Sequence, residues 1–138
     1  MGVALGAAGE RVVARALVRA GWRKLGARLA TQDAELDLLM LDGETLVVVE
    51  VKTGRCPFAR AEFETRALWR PGHRFGRADL ARLRRAADRI GQRLGRQARV
   101  DLVELLLFPS GATQFHHVDI VTPLLPPEPG RFGRVLGP

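Results

Sequence analysis

Residues 34–55 read AELDLLMLDGETLVVVEVKTGR. Two aliphatic runs flank an Asp-Gly pair, Asp42-Gly43, which is the strongest short-range signal for a hairpin. Strands are therefore expected over residues 35–41 and 45–52. Strand side chains alternate with period two, so Leu46, Val48, Glu50 and Lys52 share one face, and Glu35, Asp37, Leu39 and Leu41 share one on the partner. With Asp42-Gly43 as a two-residue turn, Leu41 lies opposite Glu44, Asp37 opposite Val48 and Glu35 opposite Glu50. Cross-strand partners point to the same side, so three carboxylates and one ammonium converge. A three-residue turn would reverse the parity and send Asp37 to the other face.

Like charges placed together on a sheet are destabilising, so something must offset the cluster. Lys52, exposure to water and a divalent cation are the three candidates. Oxygen-rich carboxylate sites suit magnesium or manganese. A surface cluster of ordinary ion pairs is the plain alternative, and Glu35, near a strand end, fits it. The aliphatic residues on both sides of Glu50 argue against it for Glu50 and Lys52.

Outward from the hairpin, residues 4–20 predict a helix with Val13, Ala16, Leu17 and Ala20 on its apolar side. Gly21 is a natural C-terminal stop. Glu10 falls inside the sector of Gly6, Val13, Ala14 and Leu17, while Arg11, Arg15 and Arg19 form a separate stripe at i, i+4, i+8. An acid in an apolar sector calls for an interior partner; an acid in the first turn calls only for the helix dipole. Gly6 and Gly9 blur the helix start, and the residues leave both readings open. A weaker strand is expected over 24–31.

Residues 53–75 lack periodicity and contain Pro57, Pro71 and Gly72, so they read as a long loop, a class that is usually functional or mobile. It carries Trp69, Arg70 and Arg74, with Arg77 close behind. Residues 79–95 predict a second helix, apolar through Leu80, Leu83, Ala87, Ile90 and Leu94. A separate stripe holds Arg82, Arg85, Arg89, Arg93 and Arg96. Strands over 99–108 and 113–121 flank Pro109-Ser110-Gly111. Residues 124–138 form a Pro/Gly-rich tail expected to be disordered. The expectation is one domain over residues 1–123, of the α/β (α+β) class, with a mixed five-stranded sheet in the order α-β-β-β-α-β-β.

Composition narrows the class. The chain has 138 residues, 46% of them apolar, which is enough for a core of its own. No apolar run reaches the length of a membrane span, no signal peptide is evident, and Gly6 stands where a myristoylation motif needs Ser or Thr. A single cysteine, Cys56, fits a reducing, cytoplasmic setting. Net charge is +7, and of 22 basic residues only Lys24 and Lys52 are lysines, leaving 20 arginines. Such a bias follows from a GC-rich genome, and it also favours a polyanionic partner, because guanidinium grips phosphate in a forked geometry.

The hairpin resembles the core of the restriction-endonuclease-like superfamily, whose signature is an acid, a gap, then acid-x-Lys: here Asp37, Glu50 and Lys52. More closely, the chain is similar to the bacterial YraN-like family of predicted endonuclease-like proteins. The matching segments are GERVVARALVRAGW with Glu10, ELD with Asp37, VVVEVKTGR, RLRRAADRI and RVDLVELL with Asp101, over residues 6–121. Ala34 replaces the usual glycine before Glu-x-Asp, residues 27–32 (ARLATQ) lack the usual Asn-x-Arg element, and Asp79 stands where the later helix usually begins with lysine.

The resemblance implies a restriction-endonuclease-like core that hydrolyses DNA phosphodiester bonds, on branched or damaged structures, with magnesium or manganese. Asp37, Glu50, the Val51 carbonyl and Glu10 would hold metal, and Lys52 would sit beside the attacking water or the phosphate. Arg82, Arg85, Arg89, Arg93, Arg74 and Arg77 are the candidate nucleic-acid contacts, which hold backbone without reading sequence. Trp69 could stack on an unpaired base. A membrane partner is not expected, and a homodimer is left open. The competing reading keeps the fold and nucleic-acid binding but little or no catalysis.

Overall fold

A computed structural model describes residues 2–56 and 70–124. The middle of the long loop, with Trp69, and the tail beyond Leu124 lie outside these residues. The described elements are α1 (Gly2–Arg19), β1 (Arg23–Ala30), β2 (Glu35–Asp42), β3 (Thr45–Arg55), a 3₁₀ turn (Pro71–Arg74), α2 (Arg77–Leu94), β4 (Ala98–Phe108) and β5 (Gly111–His117). The five strands form one mixed sheet in the order β1-β2-β3-β4-β5. Only β3 and β4 run parallel, and the crossover between them contains α2. This α+β arrangement is the one expected and is consistent with a restriction-endonuclease-like core. No helix among the described residues is long and apolar enough to cross a membrane.

The sheet is covered on both faces, which is why its central strands are almost continuously aliphatic. Val13, Ala14 and Leu17 of α1 pack on Leu38, Met40, Val47, Val49, Val51 and Val103. On the other face Leu80, Leu83, Ala86 and Ala87 of α2 pack on Leu39, Leu41, Leu46, Val48, Val100 and Leu102, with Phe75 beside them. Alternation along β3 therefore sends Glu50 and Lys52 to the α2 side.

The hairpin register differs from the expectation. Asp42 pairs with Thr45 and Leu41 with Leu46, so the turn residues are Gly43 and Glu44. Gly43 takes φ +59°, in the left-handed region that glycine enters freely, at the first of the two turn positions. Moving the turn by one residue moves the pairing by two. Parity survives, but Asp37 is directed toward Glu50 instead of Val48, and Glu35 is carried past Glu50.

The ladder between β2 and β3 ends at Leu38–Val49, while β3 continues beside β4 as far as Arg55–Leu107. At the point of separation β2 also rolls over. Leu38, opposite Ala27, packs in the α1-side core, whereas Leu36, opposite Leu29, packs in the α2-side core. Residues two apart in a regular strand share a face, so the chain twists between them. Arg28, which lies between Ala27 and Leu29, has φ +50°, an unusual value for a residue with a side chain. Asp37 occupies the corresponding place on β2.

Gly9 explains how closely α1 approaches this region. The helix begins at Gly2, so the early glycines do not interrupt it. A Cβ on Gly9 would lie 2.2 Å from Thr53 Oγ1 of β3. Substitution Gly9→Ala is expected to cost about 1–3 kcal/mol by overpacking, and adding Thr53→Ala should recover part of it. Urea unfolding of the two variants checks this; an unaltered midpoint in Gly9→Ala would show that the contact is not tight.

Candidate active site

The separating strands leave Val51 N–H without a backbone acceptor on β2, and Asp37 takes it. Asp37 Oδ2 accepts this bond at 2.9 Å. A side chain thus replaces the next rung of the ladder, which satisfies a backbone donor that would otherwise be orphaned. Asp37 also shares a hydrogen bond with the Glu50 carboxyl. Lys52 Nζ lies 3.1 Å from Glu50 Oε2. All three residues of the acid, acid-x-Lys pattern therefore meet at the point where β2 parts from β3.

Glu50 is held in an uncomfortable place for a carboxylate. Burial, then the charge of Asp37 and the hydrogen bond to it, push its pKa from 4.5 up to about 8, against the opposing pull of Lys52. Two carboxyls this close favour sharing one proton. Glu50 and Lys52 open into a pocket of about 180 Å³, also lined by Glu35, Phe75 and, from α2, Asp79 and Arg82. Glu35 is exposed at the pocket rim.

Glu10 reaches the same region from α1, on the other side of the sheet. Burial and the Asp37 charge raise its pKa, while Arg28 lowers it. Its Oε1 accepts a bond from Arg28 Nε at 3.0 Å. The partner of this acid is thus an arginine on the twisted β1 that is itself exposed, not an interior group.

Among the described residues no three His, Cys, Asp or Glu side chains are grouped so as to hold a metal ion. The donors offered are the paired oxygens of Asp37 and Glu50, with the Val51 backbone between Glu50 and Lys52. Magnesium commonly binds through one or two carboxylates and keeps several waters. Hard oxygen donors in a like-charged pair fit such an ion.

The expected phosphate-contacting arginines divide into two groups. Arg82 is paired with Asp79, and Arg89 Nε bonds Asp33 Oδ2 at 2.9 Å. Arg74 donates to the Thr53 carbonyl at 3.0 Å. Arg77, Arg85 and Arg93 are exposed on α2.

Glu104 was not singled out as a site residue in the sequence. It is fully buried on β4, directly beside Lys52 in the parallel register. Its carboxylate accepts Gly72 N–H at 2.8 Å, meets His117 Nε2 at 2.7 Å and pairs with Arg70 at 2.6 Å. A Cβ on Gly72 would come within 2.7 Å of that carboxyl, so only glycine allows the approach. These contacts tie the 3₁₀ turn, and with it Phe75 at the pocket floor, to the sheet. The signal was present: Glu104 interrupts an aliphatic run, as Glu50 does. Asp101, on the opposite face of β4, is also buried, held by Arg99 at 2.9 Å and His116 at 2.8 Å.

This chain belongs to the family described as uncharacterised protein family UPF0102, whose model matches residues 9–105. It is 39% identical over 118 residues to a UPF0102 protein of Beutenbergia cavernae, covering 83% of this chain and 92% of that one. It is 34% identical over 110 residues to one of Symbiobacterium thermophilum, covering 78% and 86%. The matched span contains Glu10, Asp37, Glu50, Lys52 and Glu104.

The raised Glu50 pKa gives folding a defined pH dependence. Between pH 4.5 and about 8 the folded chain retains a proton that the unfolded chain releases. Stability contributed by this group therefore falls as pH rises through that window. Urea unfolding at pH 5, 7 and 8.5 should show wild type losing stability relative to Glu50→Gln. Parallel profiles would mean that Glu50 titrates normally.

Proposed function

We propose that this protein is a metal-dependent endonuclease-like hydrolase of DNA phosphodiester bonds. The observation that carries this reading is the Asp37–Glu50 carboxyl pair at the separation of two strands, with Lys52 at 3.1 Å from Glu50 and both Glu50 and Lys52 opening on a pocket. A buried pair of acids is costly unless a cation or a proton offsets it, and the Val51 N–H bond accounts for Asp37 alone. The polyanionic partner is supported by the net charge of +7.

Asp37 and Glu50, with the Val51 carbonyl, would hold magnesium or manganese, and Glu10 stands behind Asp37. Such an ion, when bound, lowers the pKa of a coordinated water and screens phosphate charge. Asp37 is fixed by Val51 N–H, so its free oxygen is presented in one orientation. Glu50 must lose its shared proton before it can serve as an anionic ligand. Lys52 is set to stabilise charge on the phosphate or to exchange a proton at Nζ, a role that arginine cannot fill because it stays protonated. Arg77, Arg85 and Arg93 would hold the nucleic-acid backbone, with Arg82, Arg89 and Arg74 partly committed to protein oxygens. Branched or damaged DNA is the substrate class proposed, and the sequence, which offers no evident sequence-reading element, leaves the structure cut to the substrate panel.

Purified protein with magnesium or manganese is expected to cut or nick at least one of linear, flapped, branched and single-stranded DNA. Lys52→Ala and Asp37→Ala should each reduce cleavage by roughly 100-fold or more, the lower end of what a positioned proton-transfer group contributes. Unchanged activity in both variants would sink the assignment. Salt-sensitive DNA binding with no metal-dependent product would instead leave a binding protein of this fold. Calorimetric titration of magnesium at pH 7 should release a proton in wild type, and heat from specific binding should vanish in Asp37→Ala.

A further inference from the structure

The arginines of the two helices are in different electrostatic situations. On α2, Arg82 and Arg89 are paired with Asp79 and Asp33, and Arg84 bonds the Ile120 carbonyl at 3.0 Å, while Arg77, Arg85 and Arg93 are exposed. On α1, Arg11, Arg15 and Arg19 are all exposed and make no ion pair or hydrogen bond among the described residues. Lys24, at the start of β1, is likewise exposed and unpaired among the described residues. Glu10 is the only acid in α1, and its Oε1 is taken by Arg28. Like charges at i, i+4 destabilise a helix. The C-terminal end of the helix dipole favours Arg19, but neither Arg11 nor Arg15 lies in the last turn. Among the described residues the charge of Glu10 acts on Arg11, and no ion pair offsets the repulsion along the rest of the stripe.

These four cations line an open groove of about 440 Å³ between α1 and β1, floored by Ala14 and the half-exposed Val18. Among the described residues no acid lines it. The stripe begins one residue after Glu10, whose carboxylate feels the charge of Asp37 across the sheet from the pocket. From Arg11 to Arg19 the helix rises about 12 Å at 1.5 Å per residue. One nucleic-acid strand advances about 3.4 Å per phosphate along a duplex, so the stripe matches roughly three to four phosphates.

We propose that the α1–β1 groove, through Arg11, Arg15, Arg19 and Lys24, is a second phosphate-backbone site that holds a nucleic-acid strand leading away from the acid pair. This rests on the reading of the chain as a DNA-acting protein and adds a contact surface to it. The groove grips backbone and carries no base readout, since guanidinium and ammonium groups on a half-apolar floor recognise charge. It lies on the face of the sheet opposite α2, so a strand there and one on α2 would pass on either side of the site.

The test uses the full chain in EDTA, so that binding is read without cleavage. Fluorescence anisotropy with a labelled DNA duplex gives affinity as a function of salt. The triple variant Arg11→Gln, Arg15→Gln, Arg19→Gln should reduce the log–log salt slope by roughly 2.7, about 0.9 for each lost phosphate contact. Its affinity near 0.15 M salt should weaken by about tenfold or more. An unchanged slope overturns the proposal. Locality is read from Val18→Cys carrying a benzophenone: crosslinking to DNA supports the groove, and its absence overturns it. Phosphatidylserine vesicles provide the other anionic surface; loss of vesicle binding in the triple variant with DNA affinity intact would overturn the proposal in favour of lipid. The outcome is separable from the hydrolase reading. DNA binding that depends on α1, with no cleavage under any metal, defeats the hydrolase and leaves the groove; cleavage with an unaffected slope does the reverse.

Discussion

The hydrogen bond from Val51 N–H to the Asp37 carboxylate is the contact on which the site depends. It forms because β2 turns away from β3 after Leu38 while β3 continues beside β4. A strand that loses its neighbour exposes backbone donors, and a buried donor must find an acceptor. Asp37 supplies one and is thereby held against Glu50. One local deviation in the sheet therefore brings two fixed acids together, one of which, Glu50, lines an opening.

Rigidity comes from the two cores. Val47, Val49 and Val51 are clamped under α1, and Leu46 and Val48 under α2, so β3 is buried on both sides up to Glu50. Beyond it, Glu104 stands beside Lys52 and gathers Arg70, Gly72 and His117. The floor of the pocket is thus anchored by a buried carboxylate that takes no part in the acid pair. Gly9 and Gly72 have related roles: each lets another element come close enough to shape the site.

Much of this was legible in the residues. Alternation placed Glu50 and Lys52 on one face of an interior strand, and the two carboxylates together announced a site that the sheet itself did not need. The turn was misplaced by one residue, because Asp-Gly marks the turn without saying which of its residues begins it. The misplacement put Asp37 opposite Val48 instead of Glu50 and left parity intact. Glu104 was overlooked although it carried the same signal, a charge within an aliphatic run. Its partners lie 13 to 34 residues away in sequence, as His117 and Arg70 show, and no local pattern connects them.

The sequence by itself determined the elements, their order, the apolar faces of both helices and the side of β3 on which the acid-x-Lys pattern lies. These follow from periodicity, which is a property of neighbouring residues. Tertiary structure alone decided that β2 rolls over at Asp37, that Glu10 arrives beside it bonded to Arg28, and that half of the arginines of α2 find partners while those of α1, among the described residues, do not. Those outcomes depend on distances between elements. Such distances are set by how closely packed surfaces can approach and by which buried groups must be satisfied, so they emerge only when the chain is folded.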